Sequence, residues 1–450
     1  MENAYVVRGA LSALTAALLV SVTGCATQQP AQSKAEGKAA PPAAVAAAPP
    51  PAATPAGAAV SAPKVEKAPA APAIPPTWAQ GRESTTMLAT LSPHAPAMMA
   101  LPAEQVLVDK LKLPKGFKAT LWASGVANAR EMTVGDKGTV FVGTRFVGSV
   151  FAIVDKNGKR EVKVIAKGLH RPNGVAFKDG SLYVAELSRI IRFDKIEDNL
   201  DNPPKPVVVY DNLPKDEPHG WKFIAFGPDG KLYIPVGSPG NIVLPPDTHA
   251  QIRRINPDGS GMEVVARGVR NSVGFAWHPK TKELWFTDNG RDWLGEDVPN
   301  DELNRISKQG QHFGFPFCHQ GDILDPEFGK GKNCADYVKP ELKLGPHVAA
   351  LGIRFYQAKM FPKEYQGNAF IAQHGSWNKS RKSGFRVMRV VFDKTGKKAV
   401  KYLPFIEGWE DNEKFWGRPA DVQVLKDGSM LISDAWAGAI IRVTYDAKQK

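Results

Sequence analysis

Cysteine is nearly absent: the 450-residue chain has three. None stands in a CxxCH motif, so no covalently attached haem is expected. The two in the C-terminal half, Cys318 and Cys334, do not make a metal site by themselves. No apolar run reaches the roughly 20 residues that a membrane-spanning helix needs. Long stretches with the 3.6-residue apolar period of a helix are missing as well. Charge is not concentrated either. Lysine and arginine give a formal net charge of +13 but are scattered along the chain, which argues against the basic patch of a nucleic-acid-binding surface. A scattered basic surface suits anionic small molecules or an acidic redox partner. What the chain has in quantity is glycine, 41 residues in a composition 43% hydrophobic, as in a globular protein rich in turns.

The N-terminus reads as targeting rather than fold. Arg8 precedes the short apolar run ALSALTAALLVSV (10–22), which ends in VTGC, with small residues leading into Cys25. This resembles a bacterial lipoprotein signal, cleaved before a cysteine that carries the lipid; an ordinary signal peptide or a chance cysteine is the alternative. Ala26 follows rather than Asp, which by the same resemblance favours the outer membrane. Lipidated Cys25 would then be the sole membrane contact of a periplasm-facing protein. The next stretch, including KAAPPAAVAAAPPPAATPAGAAVSAP, is too poor in bulky apolar residues to offset chain entropy, and its prolines stiffen it toward extended geometry. The expected organisation is a signal at 1–24, an Ala/Pro-rich tether at 25–100 and a folded domain at 101–450. In an exported protein, Cys318 and Cys334, sixteen residues apart, invite a disulfide closing one loop. Such a bond contributes on the order of 3 kcal/mol.

One pattern recurs through the folded part: an apolar strand, a glycine turn, an aromatic-centred strand, a loop and a further strand. It is seen in EMTVGDKGTVFVGT, RPNGVAFKDGSLYVAEL, FIAFGPDGKLYIPVGS, SVGFAWHPKTKELWFTDNG, IRFYQAKMFPKEYQGNAFIAQHGS and ADVQVLKDGSMLISDAW. The KDG and PDG turns join short strands of alternating polarity, as hairpins require. With Phe141, Tyr183, Tyr233, Trp285, Phe370 and Leu431 as equivalent positions, the steps are 42, 50, 52, 85 and 61 residues. The first three match one four-stranded propeller blade with its loops, and the longer two imply insertions. The expected fold is all-β, a six-bladed β-propeller; two β-sandwiches explain a single repeated motif poorly. Either the segment near 117–123 or the tail strand near 439–445 would complete a blade and close the ring.

In a propeller, chemistry gathers at loops around the central channel. His219, in HGWKFIAF, stands just before a strand, as Arg270 and Asn271 do in RGVRNSVGFAW. The loop TDNGRDWLGEDVPNDELNRI carries Asp288, Asn289, Gly290, Asp292, Glu296, Asp297, Asp301 and Glu302; it suits a hard cation such as calcium, or it is a solvated acidic loop. QHGSWNKSRKSGF brings together His374, Trp377, Lys379, Arg381 and Lys382, and WGRPADV adds Arg418. Taken singly, each cation reads as a surface residue. Together, cations at equivalent blade entrances suggest a channel for a multiply anionic, planar ligand.

These segments, in this order, resemble the glucose/sorbosone dehydrogenase family, six-bladed quinoprotein propellers that use pyrroloquinoline quinone (PQQ) with calcium (Ca2+). RPNGVAF, HGWKFIAFGPDGKLYI, ARGVRNSVGFAWHP, TDNG…DELNRI, HFGFPFCH, IAQHGSWNKS and GRPADV carry the resemblance, across nearly the whole chain after residue 105. The paired cysteines and HGSWN look closer to the sorbosone-dehydrogenase-like branch. The resemblance implies His219 as the general base taking the substrate hydroxyl proton, with Arg270 stabilising charge on the quinone. It implies cofactor contacts from Asn271, His347, Trp377, Lys379 or Lys382, and Arg418. Calcium would be held by the backbone carbonyls of Gly290 and Arg291. Arg291 stands where the soluble glucose enzymes usually have proline, and Ala420 replaces a second family arginine. The implied activity is oxidation of an aldose or sugar aldehyde, with electrons passing to a quinone or a separate cytochrome. The competing readings are a calcium-dependent lactonase-type propeller hydrolase and a non-catalytic surface-tethered binding propeller.

Overall fold

The turn chemistry of the repeat sets the hairpins. In GVAFKDGSLYV, Asp179 and Gly180 take φ of 51° and 75° between the paired residues Lys178 and Ser181. Positive φ at both central positions gives a loop whose twist matches that of the flanking strands. The computed structural model describes residues 91–449; the expected signal and residues 25–90 of the expected tether lie outside the described residues.

Six four-stranded antiparallel sheets, one of them extended by a fifth strand, follow one another along the described chain as the blades of a propeller. The innermost strands of blades 1 to 6 are Ala129–Val134, Gly174–Lys178, Ala225–Phe226, Phe275–Trp277, Ala350–Phe355 and Pro419–Val424. They lie beside one another around the axis. The second strands are Val140–Thr144, Ser181–Ala185, Leu232–Val236, Leu284–Asp288, Ala369–Gln373 and Met430–Asp434. All six positions used to count the repeat fall in these second strands.

Strand alternation explains the packing. Phe141 packs toward blade 2 with Val175 and Leu182, while its neighbours Val140 and Val142 pack the opposite way against Leu431 and Ile440 of blade 6. Successive side chains point to opposite sheet faces, so one strand supplies two junctions. Each of the six junctions between neighbouring blades is filled by its own apolar cluster.

The ring closes by pairing the two ends of the propeller. Ala439–Tyr445 is the third strand of blade 6 and Phe117–Ala123 its fourth, antiparallel from Phe117 opposite Tyr445. The two segments expected as alternatives for closure are thus both used. The 85-residue step contains an excursion between the last two strands of blade 4. Within it Gln311–His312 adds a parallel fifth strand to blade 3, and a small hairpin is tied down by the Cys318–Cys334 disulfide.

Ile441 is fully buried where blades 5 and 6 meet, on the strand that receives Phe117–Ala123. Ile441→Ala is expected to lower the unfolding free energy by about 2–5 kcal/mol, read from the urea midpoint at unchanged slope. A loss below ~1 kcal/mol would mean that this closure is not a main source of stability.

Candidate active site

Where loops turn into innermost strands, polar side chains meet at one end of the channel. Arg171, His219, Arg270, His347 and Arg418 precede the first strands of blades 2, 3, 4, 5 and 6, and all five line one cavity of about 400 Å³. Arg171, His219 and His347 adopt φ of 51°, 49° and 55°. That left-handed conformation is uncommon for residues with a Cβ, and it persists where the surroundings determine it. Gly237 shows how: a Cβ there would stand 2.5 Å from the His219 carbonyl oxygen and 2.6 Å from its Cβ.

His219 Nδ1 donates to the Ser238 carbonyl at 3.0 Å, which places the ring proton on Nδ1 and leaves the Nε2 lone pair free. Burial, then Arg270 and Arg145, hold its pKa well below the usual 6.5. His374 is built alike. Its Nδ1 donates to Pro419 O at 2.9 Å, and burial with Arg418 and Arg130 depresses it too. His347 differs, because Nε2 donates to Gly295 O at 2.7 Å and Nδ1 accepts from the Asn378 amide at 3.2 Å.

Arg270 is largely engaged by the protein. Nε donates to Asn241 O at 2.9 Å and Nη1 to Asn289 O at 3.0 Å, while Nη2 reaches Asn241 Oδ1 at 2.8 Å and Asp292 at 3.3 Å. Four of its five N–H groups are thereby accounted for. Beneath it, Asp288 accepts the backbone N–H groups of Arg270 and Asn271 at 2.9 and 2.6 Å. Burial nevertheless pushes the Asp288 pKa up to about 7.

Of the residues implied by resemblance, the structure gathers His219, Arg270, Asn271, Gly290, His347, Trp377 and Arg418 around this cavity. Three have side chains engaged elsewhere, of which Arg291 was named for its backbone carbonyl. The Arg291 guanidinium points away to Asp325 at 2.6 Å. Lys379 donates to Glu296 O at 2.8 Å and to Asp297 at 2.9 Å. The Lys382 ammonium lies 3.6 Å from Glu413.

Sequence reasoning named Arg418 but did not single out the rest of the cationic wall around it. Arg130 and Arg145 join Arg171 and Arg418 there, with the Arg145 guanidinium 3.3 Å above the Trp221 ring. Burial, then Arg130, Arg171 and Arg418, drive the Arg145 pKa well below its ordinary value. Burial and Arg130 bring Arg418 down to about 9. Among the described residues, Arg145 Nε, Arg171 Nη1 and Trp221 Nε1 are buried without a hydrogen-bond partner, while Arg171 Nε pairs with Glu217. Aligning the repeats at the blade entrances, instead of at the central aromatics, would have exposed Arg171 beside Arg270 and Arg418. Pro93–Ala97, within the stretch read as tether, also lines the cavity. The His94 ring there packs 5.0 Å from Phe415.

A family model described as TrAA12-like matches residues 111–405. An uncharacterized protein of Borreliella burgdorferi is 35% identical over 359 residues, 76% of this chain and 93% of that one. Among solved structures, the holo form of the pyranose dehydrogenase PQQ domain from Coprinopsis cinerea superposes with TM-score 0.63 at 18% identity, over 74% of this chain and 97% of that one. The PQQ-bound form of aldose sugar dehydrogenase from Streptomyces coelicolor gives TM-score 0.55 at 20% identity, over 74% and 100%. At these identities the likeness to solved structures shows the fold.

The imidazoles give a pH test. Above pH 6.5 folded and unfolded chains both hold His219 and His374 neutral. Below it the unfolded imidazoles take up protons and the folded ones do not, so stability is lost as pH falls. The ring resonance of His219, assigned with His219→Gln, is expected to show no titration midpoint between pH 8 and about pH 6. A midpoint at or above the model-peptide value would overturn the assignment of a desolvated neutral base.

Proposed function

This chain belongs to the TrAA12-like family, and on that premise we propose that it is a PQQ-dependent oxidoreductase acting on an aldose or sugar aldehyde. The observation that carries the proposal is the cationic wall. Guanidinium groups of Arg130, Arg145, Arg171 and Arg418 converge on one cavity; Arg171 pairs with Glu217, whereas Arg145 keeps a buried N–H group without a partner among the described residues. A buried donor left unsatisfied costs about 1–3 kcal/mol, and more when charged, so the site is complementary to an anionic acceptor. Trp221 and Trp377 provide flat walls beside it. PQQ, a planar fused quinone bearing three carboxylates, fits this donor set. Arg145, Arg171 and Arg418 would hold its carboxylates.

Calcium would be held through backbone oxygens, with the carbonyls of Gly290 and Arg291 as the proposed ligands; hard oxygen donors are what this ion accepts. The lactonase alternative asks for carboxylates converging on a metal. Asp288 and Asp301 instead direct both oxygens to backbone N–H groups, and Asp292 accepts from Arg270 and Asn378.

When bound, the quinone supplies the two-electron acceptor for the sugar. The chain supplies the rest. His219 Nε2 takes the proton of the oxidised hydroxyl, its neutral state ensured by desolvation. Arg270, rigidly held, offers its remaining N–H to developing negative charge. Electrons leave to a separate acceptor, a quinone or cytochrome, and lipidated Cys25 anchors the protein facing the periplasm.

The test is reconstitution of the apoprotein with PQQ and Ca2+, followed by dye reduction over a panel of aldoses and sugar aldehydes. PQQ-dependent turnover of at least one sugar is expected; its absence over the whole panel overturns the reading. His219→Ala is expected to lower kcat by about 10²–10⁴-fold while PQQ affinity changes little. Unchanged turnover would remove His219 from the mechanism, and loss confined to His374→Ala would transfer the role there.

A further inference from the structure

The cavity floor is made by the segment 289–302, of which Asn289, Gly290, Asp292 and Asp301 line the cavity. Between Asp288, where one strand ends, and Asn300, where the next begins, no strand or helix holds it. Arg270, His347, Asn378 and Lys379 hold it from around the channel, and two further grips come from the loop closed by Cys318–Cys334. At one end, Asp325 is 1% exposed and its Oδ2 accepts Arg291 Nη1 at 2.6 Å and His319 Nε2 at 2.8 Å. Its Oδ1 accepts the backbone N–H groups of Glu327 and Phe328, both at 2.9 Å, which fixes the carboxylate within its own loop. At the other end, Gln320 Oε1 accepts the Asn300 backbone N–H at 2.8 Å and side-chain amide at 2.7 Å, and Gln320 N donates to Glu302 at 2.7 Å.

We propose that Asp325 is a positioning residue: from inside the disulfide-closed loop it holds Arg291 and thereby sets the 289–292 backbone that faces the ligand cavity. Arg291 carries its charge away from the cavity into a site where a carboxylate awaits it, and a charge-assisted pair of this kind directs geometry as well as attraction. The disulfide keeps the loop ends together, so the carboxylate is presented in one place. Neighbouring contacts transmit the fixed backbone to the chemistry. Asp292 N donates to Asn241 Oδ1 at 2.7 Å and Gly290 N to Asp301 at 3.0 Å, and Arg270 bonds Asn289 O and Asp292. The use of PQQ as a probe rests on the functional reading above; the brace itself does not.

The test is hydrogen exchange by mass spectrometry on the full-length apoprotein, with PQQ affinity measured in parallel by tryptophan fluorescence. Asp325→Asn keeps the shape of the side chain and removes its charge. Exchange of the Gly290 and Asp292 amides is expected to rise at least about tenfold, with 129–144 in blade 1 unchanged. The PQQ Kd is expected to weaken by about tenfold, the scale of outer-shell effects on a site. If Asp325 acts through Arg291, Arg291→Met gives the same regional change and the double variant is no worse than Asp325→Asn within about twofold. Should Asp325→Asn fail to fold, Arg291→Met alone reads the same link from its other end. Dithiothreitol, which closes to a cyclic disulfide as Cys318 and Cys334 each gain a hydrogen, is expected to raise exchange in 289–302 as well. Exchange confined to 318–334 in the variants, with 289–302 unmoved, overturns the proposal. Failure of the wild-type apoprotein to bind PQQ would sink the functional reading and leave the exchange result to decide the brace.

Discussion

The channel is organised around positive charge removed from water. A guanidinium cannot lose its proton to escape burial, so its desolvation has to be met by hydrogen bonds, by carboxylates or by a ligand. Arg270 is met almost entirely by protein oxygens, and Arg418 in part, through its bonds to the carbonyls of His374 and Gly375. Arg145 is not, and it sits flat on Trp221 with neighbouring cations for company. Burial first, and then the same cations, depress His219 and His374, so the arrangement that attracts an anion also helps keep these two imidazoles neutral. Ligand choice and base strength follow from one constraint.

Holding such a wall requires a frame that does not relax, and the blade repeat builds it with buried carboxylates. Glu186 accepts the backbone N–H of His170, Asp288 those of Arg270 and Asn271, and Asp434 that of Arg418. Glu186 follows directly on the second strand of blade 2, and Asp288 and Asp434 end those of blades 4 and 6. Each pins the backbone just before a cavity residue or the innermost strand. A buried carboxylate saturated by N–H donors is a rigid element, because leaving it unpaired is costly. The acidic loop after Asp288 thus has a structural use for Asp288 and Asp301, beyond any cation.

Much of this was legible because it is local. Two-residue turns and period-2 alternation are written in neighbouring residues, and Phe141, Tyr183, Tyr233, Trp285, Phe370 and Leu431 mark second strands wherever they occur. His219 was legible because a polar residue before a buried inner strand can point into the channel, and because the ordered motifs resemble a family with a histidine there. Arg145 was not: it lies in the loop after the second strand of blade 1, and only closure of the ring places it over Trp221, seventy-six residues away. Nor were the directions of Arg291, Lys379 and Lys382. A cation's sequence neighbours do not reveal which carboxylate will take it, and Asp325 reaches Arg291 only because a disulfide loop folds back over the 289–302 segment. Positive φ at Arg171, His219 and His347 is likewise set by tertiary surroundings, since none is a glycine.

The most direct measurement is an equilibrium titration of the apoprotein with PQQ, followed by quenching of its tryptophan fluorescence, in the wild type and in Arg145→Met. A cationic wall in which the Arg145 guanidinium lacks a protein acceptor should give saturable binding by the wild type and affinity at least about tenfold weaker in the variant, the size of a lost charge-assisted hydrogen bond. No saturation, or equal affinity in the two proteins, would contradict the assignment of this cavity to an anionic quinone.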